Sequence, residues 1–152
     1  MADEPFGRVR LIEMVVESVR VHMLSSQHVV ILKEAERDRY LPIWIGQDVA
    51  NAIAMRLQGL SAERPLTHDL MVSVLEMLGV GVTRVEVTEL RQGTYFALLI
   101  LDRSGVPLEV DARPSDALAI AVRVGAPIFV AAEVLEQSGL RDEFDGSGGA
   151  EA

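Results

Sequence analysis

The sequence predicts an α+β fold: a single compact domain with a mixed β-sheet and about four helices. Three observations carry this. A chain of 152 residues buries roughly 70% of its unfolded surface in one core and is too short for two comfortable domains. Strand-like segments come first, then two helical ones, then strands again, then helix, strand and helix. That segregation points to α+β rather than to regular βαβ winding. Finally, 49% of the residues are apolar, enough to fill a core and leave an apolar surface that would meet another copy, so self-association as a homodimer or higher homo-oligomer is expected.

The elements follow in order. Leu11–Val21 is β-rich and partly alternating, His28–Leu32 is a second strand and Tyr40–Ile45 a third, with polar turns at Ser25-Ser26-Gln27 and Glu36-Arg37-Asp38. Pro42 lacks a backbone donor, which places the third strand at an edge or a bulge. Helices are expected from about Gln47 to Gln58, stopped by Gly59, and from about His68 to Leu78, capped by Thr67 and stopped by Gly79. Val82–Val87 alternates as a half-exposed strand does. Thr94–Leu101 is apolar on both faces and so central. The turn Asp102-Arg103-Ser104-Gly105 leads to a strand at Pro107–Val110. A helix at Ser115–Val124, a strand at Ala126–Val130 and a helix at Ala131–Gln137 complete the domain, assigned to residues 8–140. Residues 1–7 read as an N-terminal arm, and 141–152 as an acidic, Gly-rich tail without the apolar content to order itself. Ala52-Ile53-Ala54-Met55-Arg56-Leu57 and Ala119-Ile120-Ala121-Val122-Arg123-Val124 are alike, either as a degenerate internal repeat or because helices packed closely on a sheet converge on such strings.

Composition excludes several chemistries. With no cysteine, there are no disulfides, thiolate nucleophiles or thiolate metal sites. The longest apolar stretch, Tyr95–Leu101, is strand-sized, and Met1-Ala2-Asp3-Glu4-Pro5 lacks signal-peptide order, so no membrane association and a cytoplasmic location are expected. The net charge of −9 argues against a general electrostatic grip on nucleic acid. No glycine-rich phosphate loop, zinc-type histidine spacing or nucleophile elbow occurs.

Two runs stand out against this apolar background: Arg64-Pro65-Leu66-Thr67-His68-Asp69 and Asp111-Ala112-Arg113-Pro114-Ser115-Asp116. Each sets an arginine, a proline, a hydroxyl and an aspartate at a helix start, where free N–H groups and the helix dipole favour anions. Capping accounts for Thr67, Asp69, Ser115 and Asp116. Ion pairs such as Arg64–Asp69, Arg113–Asp111 or Arg113–Asp116 would account for much of the rest. The functional reading is that Asp69, Asp111 and Asp116 hold a divalent cation, Mg²⁺ or Mn²⁺, while Arg64, Arg113 and Ser115 bind phosphate and His68, expected on an exposed first turn, carries a proton. His22 and His28, without neighbouring carboxylates, read as ordinary sheet residues. Trp44 reads as a core or dimer contact.

Four strings, Tyr40-Leu41-Pro42-Ile43-Trp44-Ile45-Gly46, Arg64-Pro65-Leu66-Thr67-His68-Asp69-Leu70, Gly93-Thr94-Tyr95-Phe96-Ala97 and Asp111-Ala112-Arg113-Pro114-Ser115-Asp116-Ala117, occur in the order found in the bifunctional nuclease domain family. The chain resembles that family over about Val9–Gly139. The resemblance implies a compact, commonly self-associating α+β domain in a family named for cleaving both DNA and RNA, and makes Arg64, His68, Asp69, Asp111, Arg113, Ser115 and Asp116 the candidate site by motif position. Two functions follow as expectations. One is a nuclease hydrolysing DNA and RNA with little sequence preference, with His68, Asp69, Asp111 and Asp116 catalytic. The other is a non-catalytic dimeric module that binds a protein or a small anion. Both require knowing whether the two runs meet.

Overall fold

The computed structural model describes residues 10–141 and the backbone of residues 150–151. The expected arm at 1–7 lies outside the described residues, as does most of the expected tail. Where the tail is described, its backbone forms a two-residue strand. The elements are β1 (Leu11–Val21), β2 (His28–Glu34), β3 (Tyr40–Ile45), α1 (Gln47–Leu57), α2 (Thr67–Met77), β4 (Val80–Arg91), β5 (Thr94–Arg103), β6 (Val106–Ala112), α3 (Pro114–Val124), β7 (Ile128–Ala131), α4 (Ala132–Ser138) and β8 (Ala150–Glu151).

Seven strands run in the order β3-β2-β1-β7-β4-β5-β6, with β8 beside β3 and β5. The sheet is mixed, because β7 is antiparallel to β1 and parallel to β4. Several strands outrun their expected ends. β4, for instance, continues through Thr88-Glu89-Leu90-Arg91 opposite β5. Pairing there rests on backbone hydrogen bonds, which need no apolar side chain. Register shifts at Val16/Ser18 in β1 and at Val82/Arg84 and Val87/Glu89 in β4 interrupt the period-two pattern, as bulges do. Pro42 sits opposite Ile31 on β3, the outer strand of the seven, where a missing N–H costs least. Both β4–β5 and β5–β6 turn through paired left-handed residues, Gln92-Gly93 and Ser104-Gly105. That is the type I′ geometry matching the twist of the flanking strands.

The two similar alanine-rich strings belong to a larger repetition. β1-β2-β3-α1 and β4-β5-β6-α3 are each an antiparallel meander followed by a helix of 11 residues, and they flank β7 on opposite sides. The helices are offset by 67 residues at both ends, Gln47 to Pro114 and Leu57 to Val124. That offset carries Tyr40–Ile45 of β3 onto Pro107–Ala112, within β6. α1 and α3 pack side by side over the sheet. Ala50, Ala117, Ala119 and Ala121 are buried there, and these small side chains let the helix backbones approach closely. The main core, including Met14, Leu32, Leu41, Ile43, Ile53, Val85, Val87, Leu118, Ile120 and Leu135, lies between the sheet and these helices. A smaller cluster on the other side of β2 and β3 gathers Val29, Ile31, Tyr40, Trp44 and Leu140, which gives Trp44 a packing role. The His22 ring stands edge-on to Trp44 at 6.1 Å. No helix among the described residues is long and apolar enough to cross a membrane.

Candidate active site at the junction of three helices

The second polar run enters α3 through Arg113, the N-cap residue in extended conformation (φ −67°, ψ 142°), with Pro114 at the first helical position. Proline suits that position because its fixed φ is helical and its missing N–H would be unsatisfied there anyway. Ser115 was expected as a cap; instead it is the second helical residue and is buried, because the helix starts one residue earlier. Asp116 then occupies the first turn.

α2 also starts one residue early. Thr67 is its first residue rather than its cap, and the cap position belongs to Leu66 (ψ 175°). The capping work falls to Asp69: its Oδ2 accepts a hydrogen bond from the Leu66 N–H at 2.9 Å. A carboxylate two residues into the helix thereby satisfies a free backbone donor and faces the positive end of the dipole.

The two runs converge. His68 Nε2 lies 2.9 Å from Asp116 Oδ1. Arg113 grips the same carboxylate with its Nε 2.8 Å from Oδ2 and a terminal nitrogen 3.2 Å from Oδ1. Two turns further along α3, Arg123 Nε donates to Asp69 Oδ1 at 3.0 Å. Two cross-links thus bind the start of α2 to one face of α3. The His68 side chain is only 12% exposed, not free on an outer turn as expected, because α3 packs against it.

These partners set the charges. Burial pushes the Asp116 carboxyl up, but the hydrogen bonds from Arg113 and His68 and their charges outweigh it and hold the group below its ordinary value. Asp69 is also lowered, chiefly by the Leu66 N–H and, against the cost of burial, by Arg123. The Arg113 guanidinium is raised by Asp116. Asp116 is therefore an anion at neutral pH, so the His68 Nε2 facing it carries a proton. In neutral imidazole the lone pair then sits on Nδ1, which has no hydrogen-bond partner among the described residues.

Two clefts open on either side of His68. One, of about 500 Å³, is lined by Asp48, Asn51, Thr67, His68, Arg113 and Asp116. The other, of about 300 Å³, is lined by Arg56, Ser61, Glu63, Asp69, Ser73 and Arg123, again with His68. Ala52, Met55 and Leu66 border both.

Of the seven expected site residues, His68, Asp69, Arg113 and Asp116 come together here. Arg64 is exposed and lines neither cleft; the pairing expected with Asp69 goes to Arg123 instead. Asp111 is exposed on β6 opposite Leu98. Its neighbour Ala112 packs against the core, so Asp111 projects from the other face of β6 and lines neither cleft. Ser115 is buried, hence unavailable to a phosphate. The metal set Asp69, Asp111 and Asp116 is not assembled: among the described residues no three His, Asp or Glu side chains gather to hold a metal ion. Asp69 and Asp116 already face guanidinium groups, which leaves a poor cage for Mg²⁺ or Mn²⁺.

Sequence reasoning missed Arg123, Arg56, Asp48 and Asn51. A signal existed for two of them. Arg123 follows Asp116 by seven residues and therefore shares its helix face, and Arg56 is its counterpart in the repeated string.

Comparison with known proteins places this geometry in context. The family model described as the bifunctional nuclease domain matches residues 30–143. An uncharacterised protein of Mycobacterium tuberculosis is 49% identical over 141 residues, which cover 91% of this chain and 81% of that protein. A protein named bifunctional nuclease 1 from Oryza sativa subsp. japonica is 28% identical over 127 residues, 81% of this chain and 38% of the rice protein. Its namesake in Arabidopsis thaliana is 29% identical over 116 residues, 74% of this chain and 36% of that protein. The chain thus spans little more than a third of these plant relatives.

Proposed function

Because the chain belongs to the bifunctional nuclease domain family, we propose that it hydrolyses phosphodiester bonds of DNA and RNA with little sequence preference, at the His68–Asp116–Arg113 junction. The observation that carries this is the 2.9 Å contact of His68 Nε2 with Asp116 Oδ1, which leaves Nδ1 as the ring nitrogen able to take a proton. The arrangement suits attack by water. As the water oxygen bonds to phosphorus, its proton passes to His68 Nδ1, and the imidazolium that forms is stabilised by Asp116. The ester P–O bond breaks, and the departing oxygen takes a proton from His68 or solvent. Arg113 spends two of its five N–H donors on Asp116; it also lines the larger cleft, where its remaining donors would neutralise the negative charge building on the phosphoryl oxygens. Since water is the nucleophile, the ribose 2′-hydroxyl is dispensable, which fits cleavage of both polymers.

The test is incubation of labelled single-stranded DNA and labelled RNA with purified protein and with His68→Ala, each with and without EDTA. The expected result is cleavage of both substrates by the wild type, strongly reduced in the variant and persisting in chelator. Loss of activity in EDTA with recovery in Mg²⁺ would contradict a centre built on His68 and Arg113 without a resident metal.

A second reading is favoured by one observation: both site aspartates are fully engaged by cations and a backbone N–H, as structural ion pairs would be. Under it the chain is a non-catalytic module, and substituting Asp116 changes thermal stability while no variant changes any turnover. Both readings accommodate self-association. Its surface would be the outward side of α2, where Leu70, Met71, Val74, Met77 and the following Leu78 are exposed, an apolar stretch of the kind monomers seldom present to water.

A further inference from the structure

The smaller cleft beside His68 has no part in the chemistry proposed above, yet it is built around two arginines. Arg56, in the last turn of α1, and Arg123, in the last turn of α3, occupy equivalent positions in the repeated meander-helix units and line the same cavity of about 300 Å³. They differ in commitment. Arg123 is tethered through its Nε to Asp69, leaving its terminal nitrogens free of that bond. Arg56 is exposed and has no ion-pair partner among the described residues. Ser61 and Ser73 add hydroxyls to the wall.

We infer that this cleft is a second phosphodiester subsite, holding a phosphate of a single nucleic-acid strand that neighbours the one at Arg113 and His68. The inference rests on the nuclease reading and deepens it by naming the substrate's form. Four observations support it. The two clefts share Ala52, Met55, Leu66 and His68 as a common border, so a flexible chain crossing His68 passes from one into the other. Their volumes suit single nucleotide units, whereas a duplex is too wide to enter either. The charges also discriminate. Asp69 and Glu63 stand beside the two guanidiniums in the smaller cleft, so a singly charged internal diester meets less carboxylate repulsion there than a terminal dianionic phosphate would. Lastly, Arg56 lacks the carboxylate that restrains Arg113 and Arg123, so its fork is available for bidentate contact with phosphate oxygens.

The test uses Arg56→Gln, which removes an exposed, unpaired charge and leaves the His68 junction untouched. Cleavage is measured on two substrates: a dinucleotide with one phosphodiester bond, and a single-stranded hexathymidylate. Binding of a fluorescent hexathymidylate is followed by anisotropy in parallel. The expected result is a rise of about tenfold in KM and Kd for the hexamer, the loss of one charge-assisted contact, with kcat and the dinucleotide's kinetics unchanged. A hairpin duplex of equal length should bind more weakly than the hexamer, and equally to both proteins. Identical hexamer Kd for wild type and variant, or an equal loss on both substrates, would overturn the subsite. If no protein cleaves anything, the nuclease reading fails, while the anisotropy arm still decides whether Arg56 binds a strand.

Discussion

His68 Nε2 and Asp116 Oδ1 stand 2.9 Å apart although 48 residues separate them in the chain. The contact joins two polar motifs that local structure alone cannot connect. It also fixes which imidazole nitrogen is protonated, so the aspartate acts on the reaction through the histidine. Replacing Asp116 with Asn keeps the shape and one hydrogen bond but removes the charge that stabilises imidazolium. The expected loss is about 10²- to 10⁴-fold in kcat, in line with general-base catalysis and with the orienting aspartate of other dyads, while KM changes little. Steady-state kinetics on a short oligonucleotide measures both.

Acid should undo the same junction. Asp69 and Asp116 both have folded-state values below the ordinary 3.8 of a carboxylate. Their contribution to stability is therefore complete above that value and is lost as pH falls through the lowered folded values. Thermal melting of wild type, Asp69→Asn and Asp116→Asn is expected to show a clear deficit for each variant at pH 6. That deficit should shrink as pH falls below 3.8 and through the lowered folded values, where the wild-type carboxylates also become neutral.

Arg113→Lys separates charge from geometry. A lysine keeps the positive charge but cannot span both oxygens of Asp116 and still reach a phosphate. The expected outcome is a loss of roughly 10²-fold in kcat, the scale seen when one donor to a developing oxyanion is removed, with a modest drop in melting temperature. Because its side chain is 64% exposed, the ion pair itself contributes at most about 1 kcal/mol.

The exposed side of α2 gives a prediction about assembly. Met77 is 87% exposed, so Met77→Glu leaves the fold intact while placing charge in the surface proposed for self-association. Sedimentation velocity across a range of concentrations should show the wild type associating and the variant shifted towards monomer. A wild type that is monomeric throughout would remove the role given to this surface.

The sequence carried most of the architecture because its signals were local. Apolar periodicity marked β1 and β3 at their observed limits, and glycine at 59 and 79 marked helix ends that take left-handed conformations. Helix starts were misplaced by one residue at Thr67 and Ser115, since the hydroxyl residues looked like caps while Asp69 supplied the bond from within the helix. The site was half legible for a different reason. Residue types at motif positions pointed to His68, Asp69, Arg113 and Asp116, yet also to Arg64 and Asp111, and nothing local distinguishes these groups. Only the packing of α2 on α3 chooses Arg123 over Arg64 as the partner of Asp69. Only the packing of Ala112 against the core leaves Asp111 outside on β6 while Asp116 goes in.

The most direct measurement compares initial rates of oligonucleotide cleavage by His68→Ala and Asp111→Ala, each purified alongside wild type and shown by circular dichroism to be folded. The junction described here requires the histidine variant to lose at least about 100-fold and the aspartate variant to match wild type. The reverse pattern, an inactive Asp111→Ala beside an active His68→Ala, would contradict it and move the chemistry to the β6 strand.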